Sequence, residues 1–360
     1  MVKSRGRAAV LLGLACAGGL LIVLHRATDG RHEERTPRPL ADVGMEPGGL
    51  RARTVFVSAN AASGGRGSAA APYDTVQEGV DAARPGDTVR VDPGTYPGGF
   101  HSVRSGTAAQ PIRISGSRAR VVPDAHSVRL IEINHDYLEL SGFEVVGGTA
   151  GIRVYGGHHD RILHNVVRDA LGECIRVKNQ ATQNEVAFNT VRDCGRRNFN
   201  LAEHRKNGEG VYVGTAPEQL DELPGDGPDR SDRNWIHDNA IDTPAECVDV
   251  KEFSSLTLVE HNTCTGGLDP DSAGLSGRGD HVTFRGNTVV GGQGAGIRLG
   301  GDQQDQGLHA VVVDNDLENP RGYGVKIMRS PQDVICGNGL SNPGMGASNV
   351  PTQDPTAACG

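Results

Sequence analysis

Residues 151–179 read GIRVYGGHHDRILHNVVRDALGECIRVKN, and this stretch contains one complete structural repeat. It opens and closes on similar segments, GIRVYG (151–156) and CIRVKN (174–179), in which apolar residues alternate with others. Alternation with a period of two is typical of a strand that buries one face. Between the segments lies Asn165, with apolar residues three before it and two after it. The stretch therefore predicts three short strands joined by turns.

The same pattern recurs along the chain. Asparagines in matching settings occur at Asn165, Asn189, Asn239, Asn262, Asn287, Asn315 and Asn338. The successive intervals are 24, 50, 23, 25, 28 and 23 residues, so the long interval is one repeat with an insertion. A period of this length indicates stacked supersecondary units. Stacked asparagine side chains form hydrogen-bonded ladders, so we interpret these residues as structural.

These repeats predict an all-β protein, a single-stranded right-handed parallel β-helix of about eight coils. Leucine-rich repeats share the period but need a leucine pattern that this sequence lacks. The segment TVQEGVDAA (75–83) predicts a short N-terminal helix that caps the first coil. We place the β-helix at residues 53–340 and a C-terminal tail or cap at residues 341–360.

The composition supports a repetitive all-β protein and argues against other classes. The 360 residues include 51 glycines, aromatic residues make up 4%, and the formal net charge is −8. The glycines show no period of three, which excludes collagen. The lack of a basic surplus argues against nucleic acid as a partner.

The N-terminus carries a predicted export segment. A basic start precedes an apolar run from Ala8 to Leu24. This pattern predicts a signal peptide or a signal anchor at residues 1–24 and a flexible linker at residues 25–52. Either alternative places the rest of the chain in the extracellular space or at the cell surface. An uncleaved segment would anchor it through residues 8–24, which is the only membrane contact we expect.

Six cysteines lie beyond the export segment, and export permits disulfides. Cys336 and Cys359 lie close together near the C-terminus and are candidates to pin a cap. The other four are candidate small buried residues of the core, namely Cys174, Cys194, Cys247 and Cys264.

Three carboxylates form a column on the outer face of the predicted sheet. Glu173, Glu209 and Glu246 each precede a repeated strand segment, so they stack at one coil rise, roughly 4.8 Å. Stacked carboxylates repel one another unless a cation or basic neighbours neutralise them. Oxygen ligands favour a hard cation, and we predict Ca²⁺. The alternative is a lattice of ion pairs with Arg176, Lys178 and Lys251.

The fifth position of the strand segments gives Lys251 and, one coil later, Arg278. We expect both to point outwards, with Gly214 and Gly300 leaving space beside them. A nearby guanidinium would lower the pKa of Lys251 and favour the neutral amine. A neutral lysine can remove a proton, and an arginine can stabilise developing negative charge. These are the candidate catalytic residues, and the alternative is two solvated bases on a convex face.

Other outward side chains nearby are candidate substrate contacts. They are Tyr212, Asp249, Arg298 and Lys178. Tyr212 is the aromatic residue best placed to stack on a sugar. The insertion, roughly residues 215–232, is acidic and rich in proline and glycine, which predicts a loop beside Lys251. It is either a cleft wall or lid, or a variable surface excursion.

Two parts of the sequence resemble known families. SGGRGSAAAPYDTVQEGVDAARPGDTVRVDPGTY (63–96) and the coils after it resemble pectin-lyase-like β-helix proteins over about residues 54–340. ECVDVK (246–251) and LSGRGDH (275–281) resemble polysaccharide lyase family 6, the chondroitinase B and alginate lyase group. The resemblance implies that Lys251 is the Brønsted base, that Arg278 is its acidic or charge-neutralising partner, and that Glu246 is a Ca²⁺ ligand.

The sequence also departs from the family 6 pattern. A second family carboxylate would fall at Pro244, which has no ligating side chain. Either Glu209 or Asp249 replaces it, or the protein has no metal site. Gly279 follows Arg278, where the family commonly has histidine. Both differences bear on the metal site and on the acid.

The resemblance implies an exported, monomeric lyase that cleaves an anionic, uronate-containing polysaccharide by β-elimination with the help of Ca²⁺. Two alternatives remain open, because the fold alone does not fix a function. One is a noncatalytic cell-surface β-helix that binds glycan or acts as a spacer. The other is a uronate C5-epimerase, which begins with the same proton abstraction. A hydrolase of the polygalacturonase type is disfavoured, since the sequence has no adjacent pair of aspartates.

Overall fold

The computed structural model describes residues 52–125, 129–225 and 227–360, which belong to one compact unit, Leu50–Gly360. The predicted export segment at residues 1–24 lies outside the described residues, as does the predicted linker except for residue 52. In the described parts of the chain, no helix is long and apolar enough to cross a membrane.

The chain winds into a parallel β-solenoid of about ten turns. One face is a ten-strand sheet that starts at Phe100–His101 and ends at Gly346–Ser348. Of the other strands, 19 form a second sheet that contains two further parallel ladders, and two form a short antiparallel pair, Phe199–Asn200 with Arg205–Lys206. The predicted parallel β-helix is confirmed, with two turns more than expected. The coil that contains Phe100–His101 carries no asparagine marker, and the last strand, Gly346–Ser348, lies beyond the last marker, Asn338, so the repeat count missed both.

The elements are short, and most strands span three to five residues. The strands are Thr54–Val57, Thr88–Val91, Thr95–Pro97, Phe100–His101, Ile112–Val122, Ile131–Ile133, Leu138–Val146, Ile152–Tyr155, Arg161–Leu163, Val166–Arg168, Ile175–Lys178, Glu185–Ala187, Thr190–Arg192, Phe199–Asn200, Arg205–Lys206, Val211–Val213, Trp235–His237, Ala240–Thr243, Val248–Val250, Leu258–Glu260, Thr263–Gly266, Ala273–Gly277, Thr283–Arg285, Thr288–Val290, Ala295–Leu299, Val311–Val313, Asp316–Glu318, Tyr323–Ile327, Val334–Cys336, Gly339–Ser341 and Gly346–Ser348. The helices are the α-helix Val76–Ala82 and the 3₁₀ helices Leu201–Glu203 and Pro217–Glu222.

Aliphatic side chains of the ten-strand sheet stack inside the solenoid. Seven of them are fully buried and pair in register from coil to coil, namely Ile152, Ile175, Val211, Val248, Leu275, Ile297 and Val325. Burying such a side chain contributes about 1.5–3 kcal/mol. A slip of one residue would move the whole set to the outer face. The core therefore fixes which side chains face outwards.

The helix Val76–Ala82 caps the first coil, as predicted. The backbone N–H of Glu78 donates to Oγ1 of Thr75 (3.2 Å), and that of Thr75 donates to Oε2 of Glu78 (3.4 Å). This reciprocal capping box satisfies two free donors at the start of the helix. Val76 and Val80 are buried against the first strands.

The marker asparagines form one continuous ladder. The N–H of Asn165 donates to Oδ1 of Asn189 (2.9 Å), and the same bond links each member to the next as far as Asn338. Each side-chain Nδ2 also donates to the next Oδ1 at 2.9–3.2 Å. The seven side chains are buried. Their predicted structural role is confirmed.

A second, shorter ladder contains a buried aspartate. The N–H of Leu138 donates to Oδ1 of Asp160 (2.8 Å), and the N–H of Asp160 donates to Oδ1 of Asn184 (2.8 Å). The other carboxyl oxygen, Oδ2, is buried and has no hydrogen-bond partner. Burial raises the pKa of Asp160 from 3.8 to about 8. Asp160 is therefore protonated in the folded protein at neutral pH.

We expect Asp160→Asn to stabilise the protein at alkaline pH. Below pH 3.8 both states hold the proton, and as pH rises towards about 8 only the folded state keeps it. The stability that this proton confers is therefore lost as pH rises through the folded pKa. An amide cannot ionise, so at about 1.4 kcal/mol per pH unit between pH 5 and the folded pKa, the variant should gain about 4 kcal/mol near pH 9 relative to pH 5. Urea unfolding at pH 5 and pH 9 measures the free energy of unfolding of both proteins, with the exposed Asp316→Asn as control. If Asp160→Asn and wild type lose the same stability between these pH values, the prediction is contradicted.

All six cysteines beyond the export segment form disulfides. Cys336 pairs with Cys359, which confirms the predicted pin at the C-terminal end. The other four are buried as expected, but they are not free thiols, because Cys174 pairs with Cys194 and Cys247 with Cys264. In each of these two bonds, a cysteine that directly precedes a strand of the ten-strand sheet pairs with a cysteine in or near the last strand of the same coil, which belongs to the 19-strand sheet. Sequence spacing alone did not reveal that their Cα atoms lie 5.4 and 5.8 Å apart.

Candidate active site

The outer face of the ten-strand sheet carries the predicted site residues. Strand register aligns one outward side chain from each of five consecutive coils. In order these are Arg176, Tyr212, Asp249, Ser276 and Arg298, which we call the central column. Adjacent members are separated by one strand spacing, about 4.8 Å. Side chains from neighbouring coils are therefore close enough to interact directly.

Three buried carboxylates lie together at the central column, and one of them, Asp249, is a member of that column. Oxygens of Glu209, Glu246 and Asp249 lie within 4.8 Å of one another. The N–H of Gly208 donates to Oε2 of Glu209 (2.8 Å), and the hydroxyl of Ser272 donates to Glu246. Both oxygens of Asp249 are buried and lack a hydrogen bond of good geometry. We call these three residues the acidic cluster, and its oxygen atoms are of the kind that hold a hard cation.

Burial and repulsion set the charges of the acidic cluster. Burial and neighbouring carboxylates raise the pKa of Glu209 to about 8. Burial and the Asp249 carboxylate also raise the pKa of Glu246. Burial would raise the pKa of Asp249 as well, but Lys251 and Arg278 hold it below its ordinary value. Asp249 is thus the most firmly ionised member of the cluster.

Glu173, the first member of the predicted carboxylate column, does not belong to this cluster. Its Oε1 lies 3.6 Å from Nη1 of Arg176, so it forms a long ion pair with that guanidinium. Asp249 joins Glu209 and Glu246 instead. The structure thus combines both interpretations of the column, with an ion pair at one end and a carboxylate cluster at the other.

Lys251 lies directly after the strand Val248–Val250 and is only 7% exposed. Its Nζ is 2.6 Å from Oδ2 of Asp249 and 4.7 Å from the centre of the Tyr212 ring. Burial alone would lower the pKa of Lys251, but Asp249 and Tyr212 raise it above its ordinary value. The prediction of a neutral lysine is therefore wrong, because the effect of Arg278 is smaller than that of Asp249.

The space expected beside Lys251 is filled. A Cβ atom added to Gly214, which has φ +87°, would lie 2.3 Å from Oγ of Ser254. A Cβ atom added to Gly300, which has φ +108°, would lie 2.7 Å from the backbone N of Arg329. These glycines allow close packing and do not leave an open groove.

Arg278 is the more accessible member of the predicted catalytic pair. Its side chain is 21% exposed, and Nη1 lies 3.2 Å from Oε1 of Glu252 and 3.3 Å from Oδ1 of Asp302. Nε lies 3.9 Å from Oδ1 of Asp249. Burial would lower the pKa of Arg278, but Asp249 and Glu252 raise it. Asp249 therefore contacts both Lys251 and Arg278 and brings them together.

Tyr212 is buried beneath the insertion. Its hydroxyl donates to Oε1 of Gln219 (3.4 Å) and accepts from the N–H of Ala216 (3.3 Å). Arg176 Cζ lies 4.8 Å from the centre of its ring. The expectation that Tyr212 stacks on a sugar is not met in this structure, because the 3₁₀ helix Pro217–Glu222 and its flanking residues cover the ring.

A buried aspartate, Asp229, anchors the insertion, and sequence reasoning did not single it out. Its carboxylate accepts from the N–H groups of Asn179 (2.9 Å) and Gln180 (2.8 Å). It also accepts from the hydroxyls of Thr215 (2.6 Å) and Ser231 (2.7 Å). These bonds hold the insertion against the preceding coil, in agreement with its interpretation as a cleft wall.

The far end of the central column presents unpaired polar atoms. Oγ of Ser276 and Nη1 of Arg298, one coil apart, are buried without a hydrogen-bond partner. Burial and the nearby Arg278 lower the pKa of Arg298. An unpaired buried polar atom costs about 1–3 kcal/mol. This surface is therefore suited to a polar ligand.

Lys178 lies away from Lys251, beyond the coil of Tyr212, and lines a cleft of about 560 Å³. Burial and the adjacent Arg176 lower the pKa of Lys178 to about 8. Arg153 and Tyr155 also line the cleft. Sequence reasoning missed Arg153, although the alternation in GIRVYG places it outwards, so the signal was present.

Comparison with known proteins supports the fold. No protein-family model and no curated protein matches the sequence. An alginate lyase from Paenibacillus sp. str. FPU-7 superimposes with a TM-score of 0.65 at 20% identity, over 83% of this chain and 99% of the lyase. Pectate lyase Pel9A superimposes with a TM-score of 0.60 at 16% identity, over 85% and 82% of the two chains.

A third similar structure is a mannuronic acid specific polysaccharide family 6 lyase from human gut microbiota. It superimposes with a TM-score of 0.53 at 16% identity, over 80% of this chain and 66% of the lyase. Identities this low establish a shared architecture and leave the activity to be argued from the site. The chain has the pectin-lyase-like parallel β-helix fold, which it shares with alginate and pectate lyases of known structure.

Proposed function

We propose that the protein is a polysaccharide lyase that cleaves a uronate-containing glycan by β-elimination, acting outside the cytoplasm as a monomer. The observation that carries this proposal is the contact of Lys251 and Arg278, from consecutive coils, with the same buried carboxylate, Asp249. Two cations thus meet the acidic cluster on one face of the ten-strand sheet. The lyases with the same fold support the reaction class.

The reaction needs a neutralised carboxylate, a base and an acid. The base removes the C5 proton, its electron pair forms the C4–C5 double bond, and the C4–O4 bond breaks. The departing O4 then takes a proton. Arg278 is placed to neutralise the uronate carboxylate, since it is the accessible cation. Lys251 rests as the ammonium, so the reaction begins when it loses a proton to solvent. The neutral amine then removes the C5 proton and delivers it to the departing O4.

The acidic cluster suits a Ca²⁺ ion. Glu209, Glu246 and Asp249 offer oxygen atoms within 4.8 Å of one another, and the buried Asp249 oxygens lack good hydrogen bonds. These are hard donors of the kind that Ca²⁺ prefers. When bound, the ion would supply positive charge that stabilises the carboxylate of the substrate.

Ca²⁺ should stabilise the folded protein through this cluster. Binding to the folded state alone adds about 2.7 kcal/mol when the ion is at a hundred times its dissociation constant. We expect Ca²⁺ to raise the melting temperature of chelator-treated wild type. Glu246→Gln should abolish the rise, while Glu222→Gln, an exposed change outside the cluster, should keep it. An equal rise in Glu246→Gln would refute the assignment of the site.

The proposal is tested by incubating wild-type protein with alginate, polygalacturonate and chondroitin or dermatan sulfate. Formation of the C4–C5 double bond is followed by ultraviolet absorbance, with Ca²⁺ or with chelator. We expect absorbance to rise on one of these glycans and to stop with chelator. A flat trace on all of them would overturn the proposed lyase activity.

The enclosure of Lys251 favours one alternative, a noncatalytic glycan-binding β-helix. Lys251 is buried beside Asp249, and Tyr212 above it is covered by the insertion. A purely structural lysine would show the same contacts. In that case wild type would bind glycans but release no unsaturated product, so the same incubations separate the two functions.

A further inference from the structure

We infer that the cleft around Arg176 and Lys178 is a separate binding site for the carboxylate groups of an acidic oligosaccharide. We call it the arginine cleft; its cations are Arg129, Arg153, Arg176 and Lys178. The class of ligand rests on the proposed function, whereas the site itself rests on the geometry of the cleft. It is distinct from the surface around Lys251.

The arginine cleft gathers positive charge from consecutive coils. Strand register places Arg153 beside Arg176, and Tyr155 beside Lys178. Neighbouring strands are about 4.8 Å apart, so these cations repel one another. The effect is visible at Lys178, where burial and Arg176 lower the pKa, and at Arg153, where burial and Arg129 do so. An anion in the cleft would relieve this repulsion.

Carboxylates of the protein neutralise these cations unequally. Arg153 makes a close pair with Glu132 (2.6 Å). The contacts of Arg176 with Glu173 (3.6 Å) and of Lys178 with Glu222 (3.7 Å) exceed hydrogen-bond distance. The side chain of Glu222 is also 55% exposed, which weakens its attraction. Arg176 and Lys178 therefore have charge to offer a ligand.

Buried donors without a hydrogen-bond partner also indicate that the arginine cleft binds an anion. Nε of Arg153 and Nε of Arg176 are buried and have no hydrogen-bond partner. Lys178 is itself 3% exposed. A buried donor without an acceptor is costly, and guanidinium groups bind carboxylates especially well. Two arginines one coil apart, with a lysine beside them, suit a chain that carries repeated carboxylates along the solenoid axis.

The insertion separates the arginine cleft from Lys251. Gln219 lines the cleft and bonds both Nη2 of Arg176 (3.2 Å) and the hydroxyl of Tyr212 (3.4 Å). The cleft can thus be occupied while Tyr212 and Lys251 remain covered. Variants of the two surfaces should accordingly affect binding and cleavage separately.

The test measures binding calorimetrically to Lys251→Ala, which should not cleave its ligand. The ligands are hexamers of mannuronate and of galacturonate, a sulfated chondroitin hexasaccharide and neutral maltohexaose. We expect at least one uronate hexamer to bind, and maltohexaose not to bind. Adding Arg176→Gln and Lys178→Gln together should weaken binding at least tenfold. Adding Arg192→Gln, an exposed change on another strand, should leave it unchanged.

The melting temperature of the same variants serves as the control for folding. Removing two crowded cations should leave it unchanged or raise it, so a loss of binding would not reflect unfolding. Unchanged affinity in the double variant, equal binding of maltohexaose, or binding of the sulfated hexasaccharide alone would overturn the inference. Wild-type cleavage is scored separately, so an inactive protein that still binds uronates through this cleft would refute the lyase proposal and support the cleft.

Discussion

Lys251→Ala is expected to reduce formation of the unsaturated product by about a thousandfold or more. General acid–base groups contribute about 10²–10⁴-fold, and this substitution also leaves the buried Asp249 without its 2.6 Å partner. The initial rate of ultraviolet absorbance at saturating glycan measures the loss. Binding of the glycan in the arginine cleft should persist, because that cleft lies beyond the Tyr212 coil.

Two matched variants distinguish proton transfer by Lys251 from the effect of its positive charge. Lys251→Arg keeps a cation beside Asp249 but cannot exchange a proton near neutral pH, so it should be nearly as inactive as the alanine variant. Lys326→Ala changes an outward lysine of the same sheet, beyond Arg298, and should retain activity. Full activity in Lys251→Arg would assign the lysine a purely electrostatic or structural role and would contradict its part in proton transfer.

Asn262→Ala is expected to lower the free energy of unfolding by about 3 kcal/mol, the largest loss of stability that we predict. Oδ1 of Asn262 accepts from the N–H (3.1 Å) and Nδ2 (2.9 Å) of Asn239, and its Nδ2 donates to the carbonyl of Ile236 (2.9 Å). The side chain is 1% exposed, so no bulk water replaces these bonds. Each buried group left unpaired costs about 1–3 kcal/mol. Urea unfolding measures the change.

The control for this prediction is Asn134→Ala, which removes an exposed bond to Glu132. It should change stability by no more than about 0.5 kcal/mol. Equal effects of the two substitutions would show that burial in the ladder is not what makes Asn262 important. If only Asn262→Ala loses stability, the result would indicate that the asparagine ladder stabilises the turns.

The fold could be predicted because its two strongest signals are local and repeated. Each coil needs inward aliphatic residues such as Val248 and Leu275 and a turn asparagine such as Asn262, and both leave a pattern in the sequence. The first coils are different, because the strand Ile131–Ile133 comes without a marker asparagine. The register that aligned Tyr212 with Asp249 also followed from the repeat.

The charges within the site could not be predicted in the same way. The sequence placed Lys251 and Arg278 one coil apart, but it did not show that Asp249 contacts both. The direction of the shift in the Lys251 pKa depends on that contact. Asp229 was likewise indistinguishable from other acidic residues of the insertion, since its importance comes from donors in the preceding coil, Asn179 and Gln180.

Substrate contacts were predicted in part. Lys178 was identified, whereas its neighbour Arg153 was not, although both occupy outward positions of similar segments. The covering of Tyr212 depends on how the insertion folds back, which composition does not specify. Long insertions have few internal constraints, so their path is set by single anchors.

The most direct test of the lyase proposal is mass spectrometry of oligosaccharide products formed in heavy-oxygen water. β-Elimination breaks the C4–O4 bond without adding water, so we predict an unsaturated product with no solvent oxygen, absent with Lys251→Ala. Incorporation of one heavy oxygen at the cleaved bond would show hydrolysis. Intact chains, with or without inverted uronates, would show an epimerase or a binding protein, and any of these results would contradict the account.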